Sequence, residues 1–155
     1  MKKINSILIY LAWLLFIAFW IFTIYSYYIF PESIPVHFNL KGEVDRYANK
    51  STNFLLLAIN TFVFVVFTFA KKIPAKFQTG NSIIKLEREN QIFQQQFFFN
   101  YLRVVIQLIF LLIIIEVYQI VILHHNTIGK FFLPFIITFI FLPTAFYIYK
   151  AIKSN

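Results

Sequence analysis

Four long apolar runs decide what this chain can become. They cover residues 7–30, 54–70, 97–123 and 131–149, and are 24, 17, 27 and 19 residues long. A hydrocarbon core about 30 Å thick takes roughly 20 helical residues to cross. Unpaired backbone groups are costly in lipid, so runs like these must be helices; they are too long and too unalternating for barrel strands. Composition agrees, with 60% hydrophobic and 13% charged residues, against about 25% charged in ordinary soluble domains. A soluble globular enzyme is excluded. So is a disordered chain, which needs low hydrophobicity. The expected fold is an all-α membrane protein: one domain over residues 1–155, built as a four-helix transmembrane bundle.

The net charge of +8 would suit nucleic acid, but the positions of the charges argue against that partner. Lys2 and Lys3 precede the first run. Lys71, Lys72, Lys76, Lys85 and Arg88 lie between the second and third, and Lys150 and Lys153 follow the fourth. The other two connections hold Lys41, Arg46, Lys50 and Lys130, and Arg103 lies inside the third run. Basic residues concentrate on cytoplasmic flanks. Both termini and the segment 71–96 are therefore expected inside, and loops 31–53 and 124–130 outside. The positive charge then sets orientation and attracts anionic lipid, and the expected partner is the bilayer. The first run is longer than the roughly 7–15 residues of a signal-peptide core and ends in Tyr27-Tyr28-Ile29-Phe30-Pro31. It reads as an uncleaved span. The chain has no cysteine, which removes disulfides, thiolate metal sites and cysteine nucleophiles.

From the segment 71–96 into the third run, Ile83, Leu86, Phe93 and Phe97 recur at helical spacing among charged and amide residues. That pattern predicts an amphipathic helix continuous with span three, from about Ile84 to Leu123. It is either a surface anchor, the favoured reading, or a docking stalk. Ser51, Thr52 and Asn53 offer an N-cap to span two. Pro143 predicts a kink in span four, because it removes a backbone donor.

Polar information concentrates between Pro31 and Lys50. Ile34, Val36, Phe38 and Leu40 alternate with Pro35, His37, Asn39 and Lys41, which predicts a strand with one apolar face. Gly42 breaks it, and Val44 and Tyr47 continue it weakly. A strand, a turn at Lys41-Gly42 and a return segment make a small hairpin-like cap over the helix ends.

Ile34-Pro35, His37-Phe38-Asn39, Gly42-Glu43, Asp45-Arg46 and Lys50 carry a resemblance. The loop resembles the module called domain of unknown function 1648, the N-terminal part of SdpI-type bacterial immunity proteins. The resemblance implies a four-span protein of the bacterial cytoplasmic membrane, with Pro35, His37, Phe38, Asn39, Gly42, Glu43, Asp45, Arg46 and Lys50 as its signature. It also discounts the glycosylation sequon at Asn49-Lys50-Ser51.

Three readings of the chemistry stand. His37 and Asp45 face each other across the turn if the loop is a hairpin, and are weak candidates for a metal or acid/base pair. Alternatively they knit the loop: His37 and Asn39 bond backbone, and Asp45 pairs with Arg46 or Lys50. His124-His125 diverge on a helix end and read as an interfacial cap. Inside the spans, Glu116 lies about 10 Å below the outer end at 1.5 Å per residue. With Gln119 and Asn60 it forms either packing glue or an ion site. Arg103 is expected to snorkel to headgroups. No phosphate loop, zinc-protease helix or serine–histidine arrangement is present, so no enzymatic activity and no cofactor are expected. The favoured function is envelope protection, toxin immunity or signalling, by binding a peptide or lipid at the outer face. The candidate partners are a peptide toxin, another membrane protein or a second copy of the chain. A small transporter using Glu116 is the alternative, and a metal-dependent membrane enzyme using His37 and Asp45 is the second alternative.

Overall fold

The computed structural model describes residues 2–39, 41–70, 85–125, 127–129 and 131–153. Its elements are α1 (Lys2–Ile29), β1 (Ser33–Phe38), β2 (Val44–Asn49), α2 (Thr52–Ala70), α3 (Lys85–Ile122) and α4 (Phe132–Lys153). All four helices are long and apolar enough to cross a membrane, so the chain is a multi-pass membrane protein. The expectations placed on Leu40, Lys71, Lys72, Lys76, Ile83 and Lys130 lie outside the described residues.

Local chemistry sets the element ends. In α1 the Phe30 N–H still reaches the Ser26 carbonyl at 2.9 Å. Pro31 has no N–H to continue the ladder, and the helix stops. The third helix runs 38 residues without a break, so the charged segment from Lys85 and the apolar run form one rod about 57 Å long. In α4 the chain stays helical through Pro143. The Phe139 carbonyl, four residues before that proline, would have taken the missing N–H. It accepts instead from the Tyr101 hydroxyl of α3 at 3.2 Å. Thr144 Oγ1 bonds the next carbonyl, Ile140, at 2.6 Å, a back-bond that bends helices.

The helices alternate in direction, giving a hairpin end and a termini end. Asn5 meets Asn100 at the termini end, while Phe30 lies 6.3 Å from Tyr118 near the hairpin. The α1–α3 interface is the largest between helices, α2 packs on α3, and α4 meets α3 alone among the larger contacts. None of the α4 span is buried. It is held by partners such as Tyr147, stacked 4.1 Å from Phe98.

Phe19, Phe30, Ile34, Leu57, Ile114 and Val117 form the core. Phe16 stacks on Phe64 at 4.2 Å, with Trp13 edge-on at 4.8 Å, and Trp20 Nε1 donates to Thr61 Oγ1 at 3.2 Å. Lipid tails are as apolar as this core, so dispersion and interhelical hydrogen bonds supply the cohesion.

The strands β1 and β2 form an antiparallel hairpin, from Ser33 opposite Asn49 to Phe38 opposite Val44. Ile34, Val36 and Phe38 turn to the core. Pro35 is buried as well, although the alternation places it on the polar face. The register slips between Pro35 and His37 and again before Phe38, so a strict period of two does not hold along this strand.

Candidate functional site

The signature residues divide into a turn, a cross-strand pair and a clasp. Asn39 builds the turn. Its Oδ1 accepts from Lys41 N at 2.9 Å and Glu43 N at 3.0 Å, and its Nδ2 donates to Glu43 Oε2 at 2.8 Å. Its main chain pairs with the Glu43 carbonyl and the Gly42 N–H. Gly42 has φ +80°, a left-handed conformation that glycine adopts without a Cβ clash. His37 Nδ1 sits 2.6 Å from Asp45 Oδ1 across the strands, so that pair faces as the hairpin reading requires. Asp45 is therefore paired with His37, and neither Arg46 nor Lys50 is its partner. The slipped register sets Arg46 opposite His37 in the backbone pairing.

Lys50 closes the clasp. Its Nζ is 3.1 Å from Glu32 Oε1, 3.4 Å from the Phe30 carbonyl and 5.3 Å from the Tyr27 ring centre. One ammonium thus ties the end of β2 to the C-terminal end of α1, where the helix dipole favours a cation. The Lys50 hydrogen bond, then its charge, then Asn49 Nδ2, hold the Glu32 carboxyl below the usual glutamate range. A depressed carboxylate stabilises the fold above the ordinary glutamate pKa and loses that contribution as pH falls through its own lowered value. A carbon-13 titration should therefore put the Glu32 midpoint below that of a free glutamate. Lys50→Met should return it toward the ordinary value. An ordinary midpoint in the unmodified protein would show that the clasp does not form.

The second loop locks onto this hairpin. Glu43 bridges to Thr127, and the Ile128 N–H bonds the Gly42 carbonyl at 2.9 Å. The loop is held from below by Glu116, whose Oε2 accepts from the Gly129 N–H at 3.0 Å. At the end of α3, His124 takes φ 58°, uncommon for a residue with a side chain though less so for histidine. That reversal lets the His125 N–H reach the Gln119 carbonyl at 3.2 Å. Between hairpin and helix end lies a polar pocket of about 350 Å³, lined by Glu43, Val44, Tyr47, Ile120, His124 and His125. Tyr47 is 60% exposed at its rim.

Residues 14–62 match the family model described as Domain of unknown function (DUF1648). The chain resembles the DUF1648 family. The matched stretch takes in the second half of α1, the whole hairpin and the first half of α2, so it contains every signature residue. No curated protein and no solved structure matches the chain.

Two readings of the span residues change. The structure does not join Glu116 and Asn60. Asn60 Nδ2 donates instead to Gln107 Oε1 at 3.0 Å. Counting from that bond, Glu116 lies nine residues toward the hairpin end, about 13.5 Å, and Thr52 opens α2 eight residues that way, about 12 Å. Glu116 is therefore level with the start of α2 and belongs to the loop region. The hydrogen bonds at Gln119 run through its carbonyl. Arg103 does not snorkel: it is buried, with its guanidinium 4.6 Å from the Phe64 ring centre. Sequence reading missed Asn5, Asn100 and Gln107, and missed Tyr47 and the histidines as walls of one pocket. A signal for the α3 residues existed. Asn100, Arg103 and Gln107 are spaced three and four apart, on one helix face.

Proposed function

We propose that this is a non-enzymatic protein of the bacterial cytoplasmic membrane, with both termini inside, whose hairpin end binds a peptide or lipid from outside the cell. Envelope protection, as in the SdpI-type immunity proteins it resembles, or signalling is the consequence of that binding. The observation that carries this reading is the polar pocket. Glu43 and Tyr47 come from the DUF1648 segment and His124 and His125 from the second loop. One carboxylate, one phenol and two imidazoles around a single opening can accept and donate to a peptide backbone and pair with a basic side chain. The excess of Lys and Arg at the termini and in residues 71–96 supports this orientation. His37 and Asp45 contribute two ligands where metal centres use three or four. Among the described residues no group of three such side chains comes together, so binding is favoured over metal chemistry.

The test compares survival of cells carrying the normal gene, His124→Ala/His125→Ala, or no gene, against a panel of membrane-active peptides. Protection by the normal protein against at least one peptide, lost in the double variant at equal expression, is expected. Equal survival of all three strains across the panel counts against the reading. Glu43→Gln should weaken protection most against peptides rich in lysine.

A further inference from the structure

The bundle buries a guanidinium that has no carboxylate partner among the described residues. Arg103 is 1% exposed. Its Nη1 donates to Asn100 Oδ1 at 3.4 Å, while Nε and Nη2 have no hydrogen-bond partner. Beside it, Gln107 Nε2 and Asn60 Oδ1 are also unpaired. Asn100 Nδ2 donates to Asn5 Oδ1 at 2.7 Å, so α1, α2 and α3 all contribute polar groups. Unpaired N–H donors outnumber the unpaired oxygen, and a buried cation is expensive without a counter-charge.

The six acids of the chain are Glu32, Glu43, Asp45, Glu87, Glu89 and Glu116. Three lie in or beside the hairpin, and Glu116 holds the second loop. Glu89 is fourteen residues before Arg103 on the same helix, about 21 Å along it, and Glu87 is farther. With no described carboxylate beside the guanidinium, the position is suited to an anion from outside the chain.

Position says which anion. Phe64, under the guanidinium, is six residues from the end of α2 at Ala70, about 9 Å. Helical side chains lean toward their own N-terminus, so Arg103 leans toward the termini end. Lipid phosphates of that leaflet lie there, on the side where Lys3 lies in the first turn of α1. A guanidinium with two free nitrogens matches two phosphate oxygens in a bidentate fork. We propose that Arg103, with Asn60, Asn100 and Gln107, forms a binding site for a phosphate group, delivered either as a lipid phosphodiester or as free phosphate. The Phe64 ring, stacked on Phe16, forms one wall of the site beside the guanidinium.

The experiment uses the full chain, stripped of lipid in a neutral maltoside detergent. Inorganic phosphate and dioleoylphosphatidylglycerol are titrated separately, with dioleoylglycerol as the phosphate-free control. Thermal unfolding and the fluorescence of Trp13, which touches Phe64, report binding. At a concentration 100-fold above its dissociation constant, a ligand raises stability measurably by mass action. An effect of the phosphatidylglycerol alone identifies the lipid; an effect of inorganic phosphate as well identifies the free anion. Arg103→Gln should weaken binding about tenfold or more, the usual loss for a charged hydrogen bond. Arg103→Lys, which keeps the charge and loses the fork, should weaken it less. No response of the unmodified protein to either phosphate probe, or an equal response to dioleoylglycerol, overturns the proposal. So does equal affinity in folded Arg103→Gln.

Discussion

Replacing Phe19 by alanine is expected to cost the bundle about 2 kcal/mol or more, the largest loss of any single core truncation. Phe19 is fully buried and meets Phe110 edge-on at 5.8 Å, in the α1–α3 interface that organises the fold. Truncating a phenylalanine in a soluble core costs about 3–5 kcal/mol, part transfer from water and part cavity. In a bilayer the transfer part shrinks, because lipid and core are equally apolar. The cavity part stays, since the packed neighbours relax only partly around the void. Phe141 on α4 provides the contrast. It is 66% exposed within the protein and faces lipid, so Phe141→Ala should change stability by no more than about 0.5 kcal/mol. Unfolding in mixed micelles measures both. Similar losses from the two would mean that the buried interface is not what holds the helices together.

The second large effect concerns Glu116. Its carboxylate accepts the Gly129 N–H at 3.0 Å, and a Cβ placed on Gly129 would stand 3.0 Å from Glu116 Oε1. Glu116→Leu removes the charged acceptor of that N–H, which is exposed and turns to water, so the loss is about 1 kcal/mol. Gly129→Ala pushes the carboxylate away and should act in the same direction. Glu116→Gln keeps a side-chain oxygen in place and should be nearly silent. A transport role predicts the opposite order, since a proton or ion path through Glu116 would stop in Glu116→Gln while the fold survived. Stability and liposome flux measured on the three variants decide it. Flux in the unmodified protein that disappears in a fully stable Glu116→Gln would replace the anchoring account with transport.

The fold was legible where the physics is local. A run of about 20 apolar residues has one solution in lipid, so all four helices could be read from the sequence. Within the described residues the α3 rod is helical from Lys85 to Ile122, which stops one residue short of the expected far limit of 123. Alternation around Ile34 and Gly42 marked the hairpin, and His37 and Asp45 face each other because a tight turn fixes which residues oppose. What stayed hidden depends on how helices stagger and rotate. Counted each from its own apolar run's outer end, Asn60 and Glu116 come out at one depth. Yet α3 rises past the start of α2, and the partner of Asn60 is Gln107. Arg103 read as a headgroup contact because its sequence position is near the inner end. The ring of Phe64 and the amide of Asn100, which hold it inside, belong to packing that no single helix reveals. The pocket combines residues from two loops, and neither loop alone suggests it.

The seam between those loops also has a chronology. Gly42 and Ile128 bond each other across 86 positions of sequence, and the intervening chain contains two complete membrane crossings. Closing a loop of that length costs about 4 kcal/mol in chain entropy, compensated only once α2 and α3 are in place. During synthesis the hairpin is therefore finished early and waits open for its partner. A chain halted before residue 120 would carry the whole DUF1648 segment and still lack the pocket, whose far wall is Ile120, His124 and His125.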